Sequence, residues 1–344
     1  MKRIKASLLA LCLAVSMSVT AYAAENNAQS AEAQQIQKAV TEFNSNKTEQ
    51  GIATISKLIK EQPQNTLALF ERGKMYLVSN QDAKAEADFV KLIELEKDKA
   101  FANYLVGDFY AQAGKFDKAM EYIDTAIRTD AKLAQAYFVR AIVKEAKNEA
   151  GVVEDLSQAI AAEPKYIEAY LARAGAYLRN NQLPQAEQDL NKAISLAENK
   201  AQINYVVAQM YLGAQNIEKA IAAATASINA QASAQAYALR ANAYSAQKQY
   251  ASAVADLDKA IEMAPKAAEL YMIRGVANAN LGNLNQALTD TNKAIELAPN
   301  LAMAYLNRGM IDLGLNKQTD AKADFKKAVS LNPKLAELVP AEFK

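Results

Sequence analysis

Apolar and small residues recur at helical spacing along most of this chain, and the recurrence itself recurs. The stretch NKAIELAPNLAMAYLNRG, Asn292 to Gly309, echoes DKAIEMAPKAAELYMIRG, Asp258 to Gly275, at a separation of 34 residues. With position 1 of a unit set at Ala302, Tyr305 and Leu306 at positions 4 and 5 and Gly309 at position 8 put apolar and small residues on one face of a helix. A polar turn such as Ala113-Gly114-Lys115 or Leu281-Gly282-Asn283 follows, and then a second helical pattern. Each unit is therefore expected to form a helical hairpin.

The phase holds across nine units: 32–65, 66–99, 100–133, 134–166, 167–200, 201–233, 234–267, 268–301 and 302–335. Position 8 is Ala39, Gly73, Gly107, Ala141, Ala174, Ala208, Ala241, Gly275 and Gly309, so two helices must approach closely there. Position 28 is Ile in eight units and Val329 in the ninth, a repeated core knob. Five of the seven prolines share position 32: Pro63, Pro164, Pro265, Pro299 and Pro333.

A small residue at 8, Tyr at 11, Ala at 20 and 27 and Pro at 32 together resemble the tetratricopeptide repeat over residues 32–335. Unit 1 departs most, with Gln35, Glu42 and Leu58 at positions 4, 11 and 27. The family's Trp at position 4 is replaced by Tyr at Tyr137, Tyr170, Tyr237, Tyr271 and Tyr305. The resemblance implies an all-α, right-handed superhelical solenoid of antiparallel helix hairpins whose first helices line a concave groove. Repetition is then a stacking requirement, because one hairpin cannot bury its own apolar face.

Residues 1–23 have the form of a signal peptide: Lys2, Arg3 and Lys5, an apolar run from Leu8 to Val15, and Ala21-Tyr22-Ala23 before the expected cut. The run is short of the roughly 20 residues a spanning helix needs. Cys12, the only cysteine, lies inside it. Cleavage removes three positive charges, so the formal net charge falls from +1 to −2, without the basic footprint of a nucleic-acid binder. A periplasmic or secreted protein with no stable membrane span is expected. A linker (24–31) precedes the repeats and a tail (336–344) follows them.

Candidate chemistry is sparse. With no histidine the chain cannot build a Ser-His-Asp or Cys-His pair, and zinc binding through His and Cys is excluded. No Gly-rich phosphate loop occurs. No catalytic, cofactor-binding or metal-binding residue is expected. The chain reads as a non-enzymatic scaffold that binds a protein or peptide segment along the groove. The alternative is a self-associating structural protein, joined through the C-terminal edge where Pro340 interrupts a tenth unit.

Groove-lining rows at positions 2, 5, 9 and 12 lack the Lys and Asn of a carboxylate clamp. The aromatics Phe70, Tyr104, Phe138 and Tyr205 stand at position 5 and are either core or groove anchors. In units 3 and 6, Asn103-Tyr104 and Asn204-Tyr205 hold positions 4 and 5, with Asp108 and Gln209 at position 9. Either the aromatic has slipped by one residue or these polar groups face a ligand. Finally, Arg at 7 and Asp at 23 occur together as Arg72/Asp88, Arg140/Asp155, Arg173/Asp189, Arg240/Asp256, Arg274/Asp290 and Arg308/Asp324, and three units lack both. A structural ion pair is expected, contributing up to about 1 kcal/mol if partly exposed.

Overall fold

The computed structural model describes residues 31–343, and every regular element in it is helical. The leader expected over 1–23 lies outside the described residues, as does the linker up to residue 30; Ala31 opens the first helix. The chain divides into two compact units at Leu196 and Ala197.

The first unit holds five antiparallel hairpins: α1 (Ala31–Asn44) with α2 (Thr48–Glu61), α3 (Thr66–Val78) with α4 (Asp82–Leu95), α5 (Lys99–Gln112) with α6 (Phe116–Thr129), α7 (Ala134–Lys147) with α8 (Val152–Ala162), and α9 (Ile167–Arg179) with α10 (Leu183–Leu196). The second holds four: α11 (Lys200–Gly213) with α12 (Ile217–Ala230), α13 (Ala234–Ala246) with α14 (Tyr250–Met263), α15 (Ala268–Asn280) with α16 (Leu284–Leu297), and α17 (Ala302–Gly314) with α18 (Gln318–Leu331). Two 3-10 turns, Pro333–Glu337 and Ala341–Phe343, follow. Within each unit, successive hairpins stack as in a solenoid.

Each first helix stops in the same way. The residue at position 15 has positive φ in all nine hairpins: Asn46, Asn80, Gly114, Asn148, Asn181, Gln215, Lys248, Gly282 and Asn316. The N–H of position 16 then reaches back to the carbonyl of position 11, as from Gln81 to Tyr76 at 2.8 Å and from Lys317 to Asp312 at 2.8 Å. This is the Schellman geometry, and it favours Asn and Gly because they adopt the left-handed conformation at little cost.

The two helices of a hairpin meet where position 8 faces position 24. A β-carbon added to Gly73 would lie 2.5 Å from the Phe89 ring, and one added to Gly309 would lie 2.6 Å from Phe325. Where position 8 is alanine, as at Ala174 and Ala241, the facing residue is leucine, Leu190 or Leu257, and all four are buried. Volume is thus exchanged across the contact at constant packing. Gly275 is the least crowded of these glycines: a β-carbon there would lie 3.0 Å from the Thr291 methyl group, 3.2 Å from the Ala287 carbonyl and 3.4 Å from Asp290 Cβ.

At the C-terminal edge the tail folds back over the last hairpin. Leu335 and Val339 are buried with Leu306, Ala321, Phe325 and Ala328, and Phe343 packs on Phe325 with ring centroids 5.5 Å apart. This chain's own tail therefore occupies the edge.

Candidate functional site

The Arg and Asp side chains form one repeated network. Arg72 donates from Nε and Nη2 to the two carboxylate oxygens of Asp88, at 2.8 and 2.7 Å. The same fork joins Arg140 to Asp155, Arg173 to Asp189, Arg240 to Asp256, Arg274 to Asp290 and Arg308 to Asp324. The remaining Nη1 of each arginine reaches the preceding hairpin, where it donates to Ser56, Asp124, Ser157, Thr225, Asp258 and Asn292 in turn. Each guanidinium also lies over a tyrosine ring, as Arg274 over Tyr271 at 5.7 Å. One side chain thus ties two helices of its own hairpin to the hairpin before it.

The aspartates are deeply placed. The Asp290 side chain is 2% exposed, and Asn278 Nδ2 donates to it at 3.1 Å besides Arg274. The hydrogen bond to Asp290 raises the Arg274 guanidinium above its ordinary value, against the opposing effect of burial. The aspartate side of the pair is buried, so removing its arginine would strand a charge, which costs about 3–5 kcal/mol.

Hairpin 3 lacks the arginine and has another device. Tyr110 and Tyr122 stack at 5.6 Å and both donate to Glu86 of the preceding hairpin, at 2.6 and 2.7 Å. Burial alone would raise the Glu86 carboxyl, but the two phenol hydrogen bonds and Lys118 hold it below the usual range. Lys115 also pairs with Asp82.

Most aromatic groove candidates lie in the core. Phe70, Tyr104 and Phe138 are 5%, 3% and 1% exposed, because each is covered by neighbouring aromatics: Phe70 by Phe89 and Phe109, Tyr104 by Phe101, Phe138 by Tyr166. Asn103 and Asn204 are buried as well, and each donates through Nδ2 to the carbonyl four residues earlier, Lys99 or Lys200, at 2.7 Å. Both follow loops without proline, capped by Asp98 and Asn199. Where proline is present, as at Pro164, Pro265 and Pro299, the position-4 tyrosine donates to its carbonyl. In the Asn-Tyr variant, then, each asparagine amide is satisfied by its own helix backbone.

Three candidates remain at the surface. Tyr205 is half-buried and its hydroxyl accepts from exposed Gln209 at 3.3 Å. Asp108 is half-buried beside Gln112, which donates to it at 2.8 Å, and burial pushes its carboxyl up to about 6.

A surface that the sequence did not single out lies in the second unit. A cleft of about 300 Å³ opens between α15 and α17, lined by Val276, Ala279, Asn280, Leu284, Asn307, Met310 and Ile311. None of these is charged. Val276 and Met310 are 38% and 42% exposed, and Met303, two turns before Met310 on the same helix, is 38% exposed. Met303 stands at position 2 and Val276 and Met310 at position 9, on the rows expected to line a groove. Among the described residues no cluster of three or more His, Cys, Asp or Glu is arranged to hold a metal ion, and no helix is long and apolar enough to cross a membrane.

The tetratricopeptide repeat family model matches residues 102–133, 167–200, 238–302 and 302–335. The chain belongs to the tetratricopeptide repeat family. Anaphase-promoting complex subunit 3 of Dictyostelium discoideum is 28% identical over 102 residues, 30% of this chain, and the match spans 10% of that protein's length. Among solved structures, the chain is similar to YrrB, described as a TPR protein with an unusual peptide-binding site, at 21% identity over 54% of this chain and 100% of that one, with a TM-score of 0.41. It is similar also to MamA from Desulfovibrio magneticus RS-1, at 18% identity over 49% of this chain and 96% of that one, with a TM-score of 0.43.

A tetratricopeptide repeat chain of this kind is a protein–protein interaction scaffold. Its repeats carry a signal that pairing within one unit overlooks. Position 25 is a polar acceptor (Ser56, Asp124, Ser157, Thr225, Asp258 or Asn292) in every unit followed by an arginine-bearing one. Val90 stands there before unit 3, whose position 7 is Val106.

Proposed function

We propose that this protein is an exported, non-enzymatic scaffold that holds a largely apolar, uncharged protein segment in the cleft between α15 and α17. The observation that carries the reading is the lining itself: Val276, Met310 and Ile311 with Asn280 and Asn307, and no charge among the lining residues. Aliphatic and thioether groups contribute burial, while the two amides offer donors and acceptors to an extended backbone. A carboxylate entering this cleft would lose hydration without meeting a cation. The leader at residues 1–23 supports export to the periplasm or beyond.

The test uses fluorescence anisotropy with a panel of labelled peptides of equal length, either neutral and rich in Leu and Met or carrying several acids. The neutral peptides should bind, and Met310→Asp should weaken them at least about tenfold, as for an apolar anchor. Equal affinity for the acidic peptides, or an indifferent Met310→Asp protein that is folded by circular dichroism, overturns the reading. Export is checked by cell fractionation and by the N-terminal sequence of the recovered protein, which should begin at Ala24.

A further inference from the structure

Cys12 is the only cysteine of the chain and lies outside the described residues, so methionine is the only sulfur side chain in the folded repeats. The methionines differ sharply in exposure. Met75 is 3% exposed in the first unit's core, whereas Met303 and Met310 are 38% and 42% exposed. The latter two stand seven residues apart on α17, two turns along one face and about 10 Å apart along the axis. Met310 forms part of the cleft wall, beside Val276 and Ile311. Met263, 51% exposed at the end of α14, lies away from the cleft lining.

We propose that Met303 and Met310 form an oxidation site at which a peroxide-class oxidant converts both thioethers to sulfoxides and closes the cleft to apolar segments. The inference rests on the reading of that cleft as the binding surface. With hydrogen peroxide, a sulfur lone pair attacks one oxygen, an S–O bond forms as the O–O bond breaks, and the departing hydroxide takes up the proton of the transferred oxygen and leaves as water. Sulfur loses two electrons and the peroxide gains them. The product is polar and chiral where the reactant was a flexible apolar chain. At Met310 a sulfoxide oxygen would sit against Val276 and Ile311, where an apolar segment has no donor for it. Exposure makes both thioethers accessible, and burial protects Met75.

The experiment treats the full chain with hydrogen peroxide, follows each methionine by peptide mapping, and measures binding of Nile red, an uncharged apolar dye. Met303 and Met310 should oxidise at least about tenfold faster than Met75, in line with exposure. Dye affinity should fall several-fold while far-ultraviolet circular dichroism is unchanged. In Met303→Leu/Met310→Leu, whatever its starting affinity, peroxide should change nothing further, and in Met263→Leu it should act as in the parent. Equal oxidation of Met75 and Met310, or intact dye binding in protein carrying both sulfoxides, overturns the oxidation site. Val276→Asp separates the two ideas. If it leaves dye binding intact, the cleft reading falls, and the inference built on it falls too; if it abolishes binding that peroxide spares, the oxidation site alone falls.

Discussion

Replacing Gly309 with alanine should destabilise the last hairpin although alanine is the better helix former. A glycine in a helix interior costs about 1 kcal/mol relative to alanine, so propensity alone favours the change. The new β-carbon, however, would lie 2.6 Å from one ring atom of Phe325 and 2.9 Å from another. Unstrained carbon contacts need about 3.5–4.0 Å, so the ring must move by about 1 Å. Phe325 is 1% exposed and packs against Phe343, so the ring has little room to move. Overpacking of this kind costs about 1–3 kcal/mol, which outweighs the propensity gain and leaves a net loss of about 1 kcal/mol. In a Phe325→Leu background, which reproduces the Ala/Leu contact of Ala174 with Leu190, the same Gly309→Ala step should become neutral or favourable. Hydrogen exchange of α17 and α18 is the suitable assay, because a repeat array opens hairpin by hairpin and a single melting temperature averages over it. Undiminished protection in Gly309→Ala, or an equal loss in both backgrounds, would refute the volume-exchange argument.

Three further outcomes follow from the geometry. Arg274→Met should cost about 3 kcal/mol by urea unfolding, because Asp290 is left buried without its cation, and the Arg274/Asp290 double-mutant cycle should show strong coupling. The Asp108 carboxyl is raised to about 6 in the folded state against about 4 unfolded, so the folded state keeps its proton after the unfolded chain has lost one. Its contribution to stability therefore falls as pH rises from about 4 to about 6; Asp108→Asn should remove that slope in a pH series of urea midpoints and leave the protein more stable than the parent above pH 6. Lys248 holds a left-handed backbone that a lysine adopts at a cost of about 1 kcal/mol, so Lys248→Gly should raise the melting temperature while Gly282→Lys should lower it.

The hairpins were legible because one chain repeats its solution nine times, so the small residue at position 8 and the Arg–Asp covariation show through substitutions elsewhere. The second half of the arginine network was equally present, in Ser56 through Asn292, but it spans two units and is invisible when each unit is considered alone. The candidate cleft was harder. Helical period places Phe70 and Met310 on groove rows, yet their burial depends on what the adjacent hairpin presents to each of them. Phe70 is covered by Phe109 of the next hairpin, whereas Met310 stays open beside Val276 of the preceding one. Side chains in a neighbouring unit decide this, and no single-unit pattern records it.

The arginine network also sets which hairpins are interchangeable. An arginine such as Arg274 finds one partner 16 residues ahead, inside its own hairpin, and another 16 residues behind, in the hairpin before it. A hairpin carrying Arg, Asp and a polar residue at position 25 therefore presents the same plug at one end and the same socket at the other. Such a module can be duplicated, deleted or transplanted without its neighbours having to change. Hairpins 2 and 3 obey a different grammar. Tyr110 and Tyr122 depend on Glu86 of the hairpin before them, and Val90 offers no acceptor to an arginine. These two must be inherited together, so a lineage or a designer recombining this chain should find its breakpoints at the arginine joints and none between Leu95 and Lys99.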